Sequence, residues 1–330
     1  MIRRTTRRAA LGAAGATLAA ALSRGAHAQG ADWPKQPIKF VVPFPPGGSV
    51  DPLARLVAQR LTETHGWNIV IDNRAGASGS VGTAIVAKAP PDGHSFVFVF
   101  DTHGVNPTLI PGMPFDTQKD LDPVSVVSTS SMVFSTHESR PYKSFADVVA
   151  AVKAKPDSVS FGSIGNGSLA HLTMMLLQKQ GGFRILHVPY KGGAPMLQDA
   201  VAGQIDTAFS TVAHQMPQIR NGKLRPLVVT GDKRAPQLPD VPSLAEVGFP
   251  GFSAKAWWGV LAPAGTPKPI IERMNAELRR ILGEPAVKQR LADQLGMDIW
   301  ASSPEEMRAF VAAEIDRWGK VVRENGIKAD

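Results

Sequence analysis

Residues 38–51 read Ile38-Lys39-Phe40-Val41-Val42-Pro43-Phe44-Pro45-Pro46-Gly47-Gly48-Ser49-Val50-Asp51, and the fold follows from how that stretch changes character. An apolar run rich in β-branched residues breaks at a Pro/Gly loop. From Asp51 to Leu61, Leu53, Leu56, Val57 and Leu61 then recur at helical spacing, with Pro52 suited to a first turn. The order is strand, glycine loop, helix. Working outward, Asn68 to Ile71 predicts a second short strand, Ala75 to Ser80 a Gly/Ser loop and Val81 to Ala89 a helix. Pro90-Pro91-Asp92-Gly93 ends that helix, and Ser95 to Phe100 is a third strand. Continuous apolar strands alternating with helices predict a mainly parallel, helix-covered sheet.

A similar unit recurs further on. Phe145 to Lys155 is helical, Pro156-Asp157-Ser158 turns, Val159 to Phe161 is a strand, Gly162 to Ser168 a glycine-rich loop and Leu169 to Gln180 a helix. Ile185 to Val188, Thr207 to Phe209 and Leu227 to Thr230 add short strands. The polar stretch Ser128 to Ser131 and the segment Phe249-Pro250-Gly251-Phe252 read as crossings between two lobes. Lobe 2 is then expected over 131–252, and lobe 1 over 29–130 plus 253–330. After Pro263 to Pro269 come two amphipathic helices, Ile270 to Leu282 and Ala286 to Gln294. A third opens at the capping box Ser303-Pro304-Glu305-Glu306, and this tail should pack back on lobe 1. The expected fold class is α/β, two doubly wound lobes with a ligand cleft between them.

The 330 residues are 43% hydrophobic and 19% charged, too apolar for disorder and long enough for two lobes. The complete lack of Cys excludes disulfides, thiolate nucleophiles, thiolate zinc sites and cysteine-held iron–sulfur clusters. The net charge of +8 is concentrated at the start, where Arg3, Arg4, Arg7, Arg8 and Arg24 meet no acid within residues 1–28. Without them 31 basic residues face 28 acidic ones, so the balance drops to +3 and a nucleic-acid partner loses its support. Those 28 residues have a basic start, an apolar stretch from Ala9 to Leu22 and the cleavage pattern Ala26-His27-Ala28, the organisation of a removable signal peptide. Arg7-Arg8 also suits a twin-arginine signal. Beyond residue 28 no run nears the roughly 20 apolar residues of a membrane helix, so the mature chain is expected to be exported and not membrane-embedded.

Two glycine-rich loops, Phe44 to Ser49 and Ser163 to Ser168, each sit between a strand and a helix. Free amide groups and the positive end of a helix dipole make such a place suited to an anion, and one loop in each lobe suggests a cleft ligand. Glycine's service to tight turns is the plainer alternative. His171 lies one turn into the second helix as a ligand contact or a capping group. Tyr190 stands at a strand end as a cleft or packing residue, and Asp51 bonds a ligand or simply favours its helix start. Trp257-Trp258 reads as lobe packing. The run Gly165-Asn166-Gly167-Ser168-Leu169-Ala170 matches a dinucleotide fingerprint, yet Arg184 to Lys191 offers no acid for a ribose. Gly76-Ala77-Ser78-Gly79-Ser80 misses the G-x-S-x-G elbow at its last position. No His pair has metal-ligand spacing, so neither a metal nor a cofactor is expected. A secreted hydrolase using Ser168 and His171 stands as an alternative function. A bulky residue at Gly167 or Ser168 is expected to abolish binding without unfolding.

Several segments together resemble one family. They include Pro37-Ile38 with Val41-Val42-Pro43-Phe44-Pro45-Pro46-Gly47-Gly48, Asp51 with Ala54-Arg55, Asn73-Arg74 with Gly76-Ala77, Pro91-Asp92-Gly93 and Asn106-Pro107. Phe161-Gly162-Ser163, Gly165 with Gly167-Ser168, His171-Leu172, His187-Val188-Pro189-Tyr190-Lys191-Gly192 and Leu238-Pro239-Asp240-Val241-Pro242 continue it. From about Trp33 to Gly326 the chain resembles the receptors of tripartite tricarboxylate transporters, the TctC-like or Bug family. The resemblance implies a monomeric, periplasmic, non-enzymatic two-lobed protein of the type II periplasmic-binding kind. It would capture a small organic carboxylate and deliver it to membrane transporter subunits; a ligand-sensing partner of a membrane regulator is the alternative. By the family's pattern, the ligand-gripping positions are Phe44, Gly47, Gly48, Ser163, Asn166 and Ser168, with Ser78, Thr102, His171, Tyr190 and Asp206 as further cleft residues. His94 and Thr102-His103-Gly104 depart from that pattern, so the ligand is not inherited from relatives.

Overall fold

The computed structural model describes residues 33–252 and 254–328. The signal peptide expected over 1–28 lies outside the described residues.

The quoted stretch forms strand β1 (Ile38–Val42) and helix α1 (Val50–His65). The strand is buried at four of its five positions, and α1 buries the stripe Leu53, Leu56, Val57 and Leu61. Gly66, at φ 68°, closes α1 by donating its N–H to Thr62 O at 2.8 Å, a left-handed cap that any residue with a Cβ adopts at a cost. Then follow β2 (Ile69–Asn73), α2 (Ser80–Ala87), β3 (Ser95–Phe100) and α3 (Thr102–Leu109). A 17-residue strand, β4 (Leu121–His137), leads into α4 (Phe145–Ala154), β5 (Ser160–Ser163), α5 (Leu169–Gly181) and β6 (Leu186–Pro189). The chain continues through α6 (Gly193–Val201), β7 (Thr207–Thr211), α7 (Val212–Arg220) and β8 (Leu224–Val229). The long strand β9 (Lys255–Pro263) precedes α8 (Lys268–Gly283), α9 (Pro285–Leu295), β10 (Asp298–Ile299) and α10 (Pro304–Glu324).

The molecule is α/β with two lobes. Its strands join in the order β2-β1-β3-β9-β4-β7-β5-β6, with β10 and β8 also on β4. The mainly parallel sheet expected from the sequence is corrected here to a mixed one. β1 pairs parallel with β2 and β3, and β5 pairs parallel with β6 and β7, but every pairing of β4 and β9 is antiparallel. The reason is connectivity: β4 carries the chain from one half to the other, and β9 carries it back alongside.

Ser128 to Ser131, read from the sequence as a crossing between lobes, lie inside continuous strand β4, next to the point where it changes partner from β9 to β7. Hydroxyls in and just before this stretch find partners in the chain's tail: Ser130 Oγ donates to Gly296 O at 2.9 Å, and Ser125 Oγ to Ser302 O at 2.9 Å. A buried hydroxyl with an acceptor stabilises a strand that its polarity alone would disfavour. The tail helix α10 opens with the expected capping box, Ser303 accepting from the Glu306 amide and Glu306 from the Ser303 amide.

Strand directions place the cleft. β4 runs outward from the first half, so β9 runs back, β3 runs outward and β7 runs back. Phe100 at the end of β3 pairs with Trp258, which also pairs with Ser128; Thr211 at the end of β7 pairs with Met132. Four residues of β4 separate those levels, roughly 13 Å at the usual rise per strand residue. The carboxyl ends of β1 and β3 therefore face those of β5 and β7 across the crossing strands, where α/β sheets bind ligands.

Candidate functional site

The first loop follows β1. Phe44 is half-buried, its ring edge-on to Phe100 at 6.1 Å between centroids, while Pro45 to Gly48 are exposed. Gly47 adopts φ 81°, which lets the chain turn into α1. Asp51 is engaged by the loop and its neighbours. Its buried carboxylate accepts from Arg55 Nε at 2.9 Å, Asn73 Nδ2 at 3.0 Å and the Gly47 amide at 3.4 Å, and Asn73 Nδ2 also reaches Phe44 O at 3.2 Å. Burial pushes this acid up, but the bonds from Arg55, Asn73 and Gly47 outweigh burial and hold it below the usual Asp value. Asp51 is thus the clasp that shapes the loop from behind. From the crossing strand, Trp258 Nε1 donates to Ser49 Oγ at 3.2 Å.

Beside it stands a left-handed turn in which Gly76, Ala77, Ser78 and Gly79 take φ of 145°, 42°, 52° and 90°. Two of these residues carry a Cβ, at a cost of about 1 kcal/mol each. Compensation comes from α3: the Ser78 carbonyl accepts from Thr102 Oγ1 at 2.9 Å and Asn106 Nδ2 at 3.0 Å. The Phe44 ring covers Gly79, where a Cβ would lie 3.0 Å from the ring. Phe44, Gly47, Gly48, Ser78 and Thr102 therefore lie together on one side of the cleft, with the Ser78 side chain exposed.

The second loop supplies the opposite side. Ser163 is fully buried, and its Oγ accepts from the Gly165 amide at 3.2 Å while lying 3.1 Å from Gly165 O and 2.7 Å from His187 Nε2. These bonds shape the loop from within. Ser168 caps α5, accepting from the His171 amide at 3.4 Å, and His171 Nδ1 accepts from the Gly167 amide at 3.1 Å. Through Nδ1, His171 thus braces the loop that precedes its own helix. Asn166 is half-buried at the outer turn. Gly167, at φ 71°, meets α3 across the cleft: a Cβ there would lie 2.3 Å from Leu109 Cδ2. Leu109 is a contact residue that no motif in the sequence announced.

Two expected site residues do not join this group. Tyr190 donates its N–H to Ser163 O at 3.0 Å, but its hydroxyl turns away to Asp199 Oδ2 at 2.7 Å, and burial together with that carboxylate pushes it up to about 12. Asp206 precedes β7, at the opposite end of the sheet from the cleft. It accepts from the amide and hydroxyl of Ser160 at 2.9 and 2.8 Å and pairs with Arg140 Nε at 3.2 Å. Strand direction, which a lone sequence position does not reveal, removes it from the site. The Ser168 and His171 pair is no hydrolase machinery either, because the Gly167 amide occupies Nδ1 and Ser168 Oγ serves as a cap. Trp257 and Trp258 are buried in lobe packing. Among the described residues, no group of three or more His, Asp or Glu side chains is placed to hold a metal ion.

Behind α3 lies a buried polar cluster. Burial, then the nearby Glu314, pushes Asp101 well above its usual value; burial also raises Glu314, eased by a bond from Trp318 Nε1 at 2.9 Å. Burial alone lowers His103 to about 4. A His held neutral in the fold but free to charge once unfolded contributes no penalty above about pH 6.5 and destabilises progressively as pH falls from there to about 4. His103→Phe should therefore flatten the acid limb of stability relative to the parent, as read by urea midpoints across that range. An unchanged difference between the two proteins at every pH would refute the assignment.

The geometry just described accords with comparisons to known proteins. The family model "Tripartite tricarboxylate transporter family receptor" matches residues 53–327. Protein BugT of Bordetella pertussis (strain Tohama I) is 37% identical over 298 residues, covering 90% of this chain and 91% of that protein. Among solved structures, R. palustris Rpa4515 with adipate superposes with a TM-score of 0.83 at 37% identity, over 90% of this chain and 99% of that one. MatC (Rpa3494) from Rhodopseudomonas palustris with bound malate gives a TM-score of 0.78 at 33% identity, over 88% of this chain and 100% of that one.

Proposed function

The chain belongs to the tripartite tricarboxylate transporter receptor family of periplasmic solute-binding proteins, and from that premise we propose that it captures a small organic carboxylate between its lobes and delivers it to a membrane transporter. The observation that carries the reading is the meeting of two glycine-rich loops, each opening a helix, across the crossing strands. Each presents backbone N–H groups and a positive helix end to the same space, and neither contains Arg or Lys. An anion gripped by neutral donors is held reversibly, and closure adds the second loop's donors to the first, so the ligand favours the closed state by differential contact. Phe44 and Phe100 provide an apolar wall for the carbon skeleton. The division into lobes is assigned to the points where β4 changes partner, between Ser131 and Met132, and where the chain returns near residues 252–254.

That relatives bind adipate and malate supports the class of ligand. No helix among the described residues is long and apolar enough to cross a membrane. Thermal unfolding of the refolded mature protein against mono-, di- and tricarboxylates and aromatic acids tests the reading. A ligand at a hundredfold its Kd adds about 2.7 kcal/mol and raises Tm visibly. A selective rise with one acid is expected, and no rise with any carboxylate would overturn the proposal.

A further inference from the structure

Behind the second loop two imidazoles are stacked. The His171 and His187 rings lie 4.1 Å apart at 14°, and the far face of His187 stacks on Phe161 at 4.7 Å and 21°. Among the described residues β6, which carries His187, is an edge strand paired only with β5, which contributes Phe161 and Ser163 to this contact. A second titratable group, His171 on α5, lies directly against the His187 ring. Each ring is tied to the loop by one of its nitrogens: His171 Nδ1 accepts from the Gly167 amide, and His187 Nε2 meets Ser163 Oγ at 2.7 Å.

These ties make the two rings unequal toward protons. His171 Nδ1 spends its lone pair on the Gly167 N–H, so a neutral His171 carries its proton on Nε2, and a second proton would break the bond that shapes the loop. His187 has no such conflict. When it is neutral at Nε2, Ser163 donates to it. When Nε2 is protonated, it donates to Ser163 Oγ, whose own proton swings to Gly165 O at 3.1 Å. In both states Nε2 and the Ser163 hydroxyl stay bonded to each other, the hydroxyl rotating between His187 and Gly165 O. The second loop, which lacks any basic side chain of its own, has a chargeable ring directly behind it.

We propose that His187 is a proton-linked positioning residue of the ligand site: a carboxylate seated on the second loop favours the charged ring, so binding takes up a proton at His187 while His171 stays neutral. This rests on the carboxylate reading above. By linkage, affinity is highest at low pH and falls, up to tenfold per pH unit, as pH rises through the interval between the proton affinities of the free and bound protein.

Titration calorimetry of the mature protein with adipate and with malate, in buffers of differing ionisation enthalpy between about pH 5.5 and 8, measures the protons exchanged. Uptake of a fraction of a proton, lost in His187→Gln while binding persists, is the expected result. His171→Gln should weaken binding at every pH, because it perturbs the loop rather than the titration. The ring resonances of the unliganded protein supply a second readout: His187 should titrate in this interval and His171 should not. Binding without proton exchange, or uptake retained in His187→Gln, overturns this inference and leaves the receptor reading standing. Failure of every carboxylate to bind overturns both.

Discussion

Gly167→Val is expected to weaken carboxylate binding at least about 100-fold, or about 2.7 kcal/mol, while leaving the circular dichroism spectrum of the protein unchanged. Two effects act at this position. The left-handed φ of 71° is unfavourable for a β-branched residue, and a Cβ would lie 2.3 and 2.9 Å from the two terminal carbons of Leu109. Leu109 ends α3 on one side of the cleft, and Gly167 belongs to the loop on the other. Their contact therefore sets how closely the sides approach, and a wedge there separates the two sets of donors. A double-mutant cycle with Leu109→Ala separates the causes. If sterics dominate, Leu109→Ala restores much of the binding of Gly167→Ala; if backbone strain dominates, it restores none. Wild-type affinity in Gly167→Val would show that this contact plays no part in the bound state.

Trp258→Ala should produce the largest loss of stability. The side chain is 1% exposed at the middle of β9, packs on Phe100 at 5.1 Å between centroids, and bonds to Ser49 at the mouth of the first loop. Removing a buried Trp costs about 3–5 kcal/mol from lost transfer energy and the remaining cavity, a fall in Tm on the order of 10 °C for a chain of this size. Trp258→Phe keeps most of the apolar volume and loses only the Nε1 donor, so it should retain most of the stability yet loosen the first loop. Differential scanning calorimetry of both variants, followed by ligand titration of the Phe form, separates the packing role from the anchoring role. Equal Tm values for the Ala variant and the parent would contradict the assigned packing.

Trp258 also shows why part of this molecule was hidden in the sequence. The strand–loop–helix units around Phe44 to Ser49 and Ser163 to Ser168 were legible because each is built from neighbours: an apolar run, glycines that permit a turn, and an amphipathic stripe. Strand β4 was hidden because its serines read as a bare crossing between lobes until their acceptors at Gly296 and Ser302 are known, 166 and 177 residues away. With β4 and β9 unseen, the sheet read as parallel.

The site divides in the same way. The sequence by itself determined the two loops and the residues on them, since glycine spacing and helix starts are local properties of the chain. It also determined what the site lacks: neither loop has a basic residue, and no thiol chemistry is available anywhere. Only the tertiary structure decided which candidates reach the cleft. Asp206 and Ser163 stand at opposite ends of neighbouring parallel strands, so one closes the far edge while the other shapes the ligand loop. Tyr190 sits at the correct strand end, but Asp199, nine residues on, draws its hydroxyl away. His171 and His187, 16 positions apart, become stacked rings behind one loop only once the fold brings α5 and β6 together. Hydrogen-bond partners and strand direction are properties of the assembled sheet, and no local pattern along the chain encodes them.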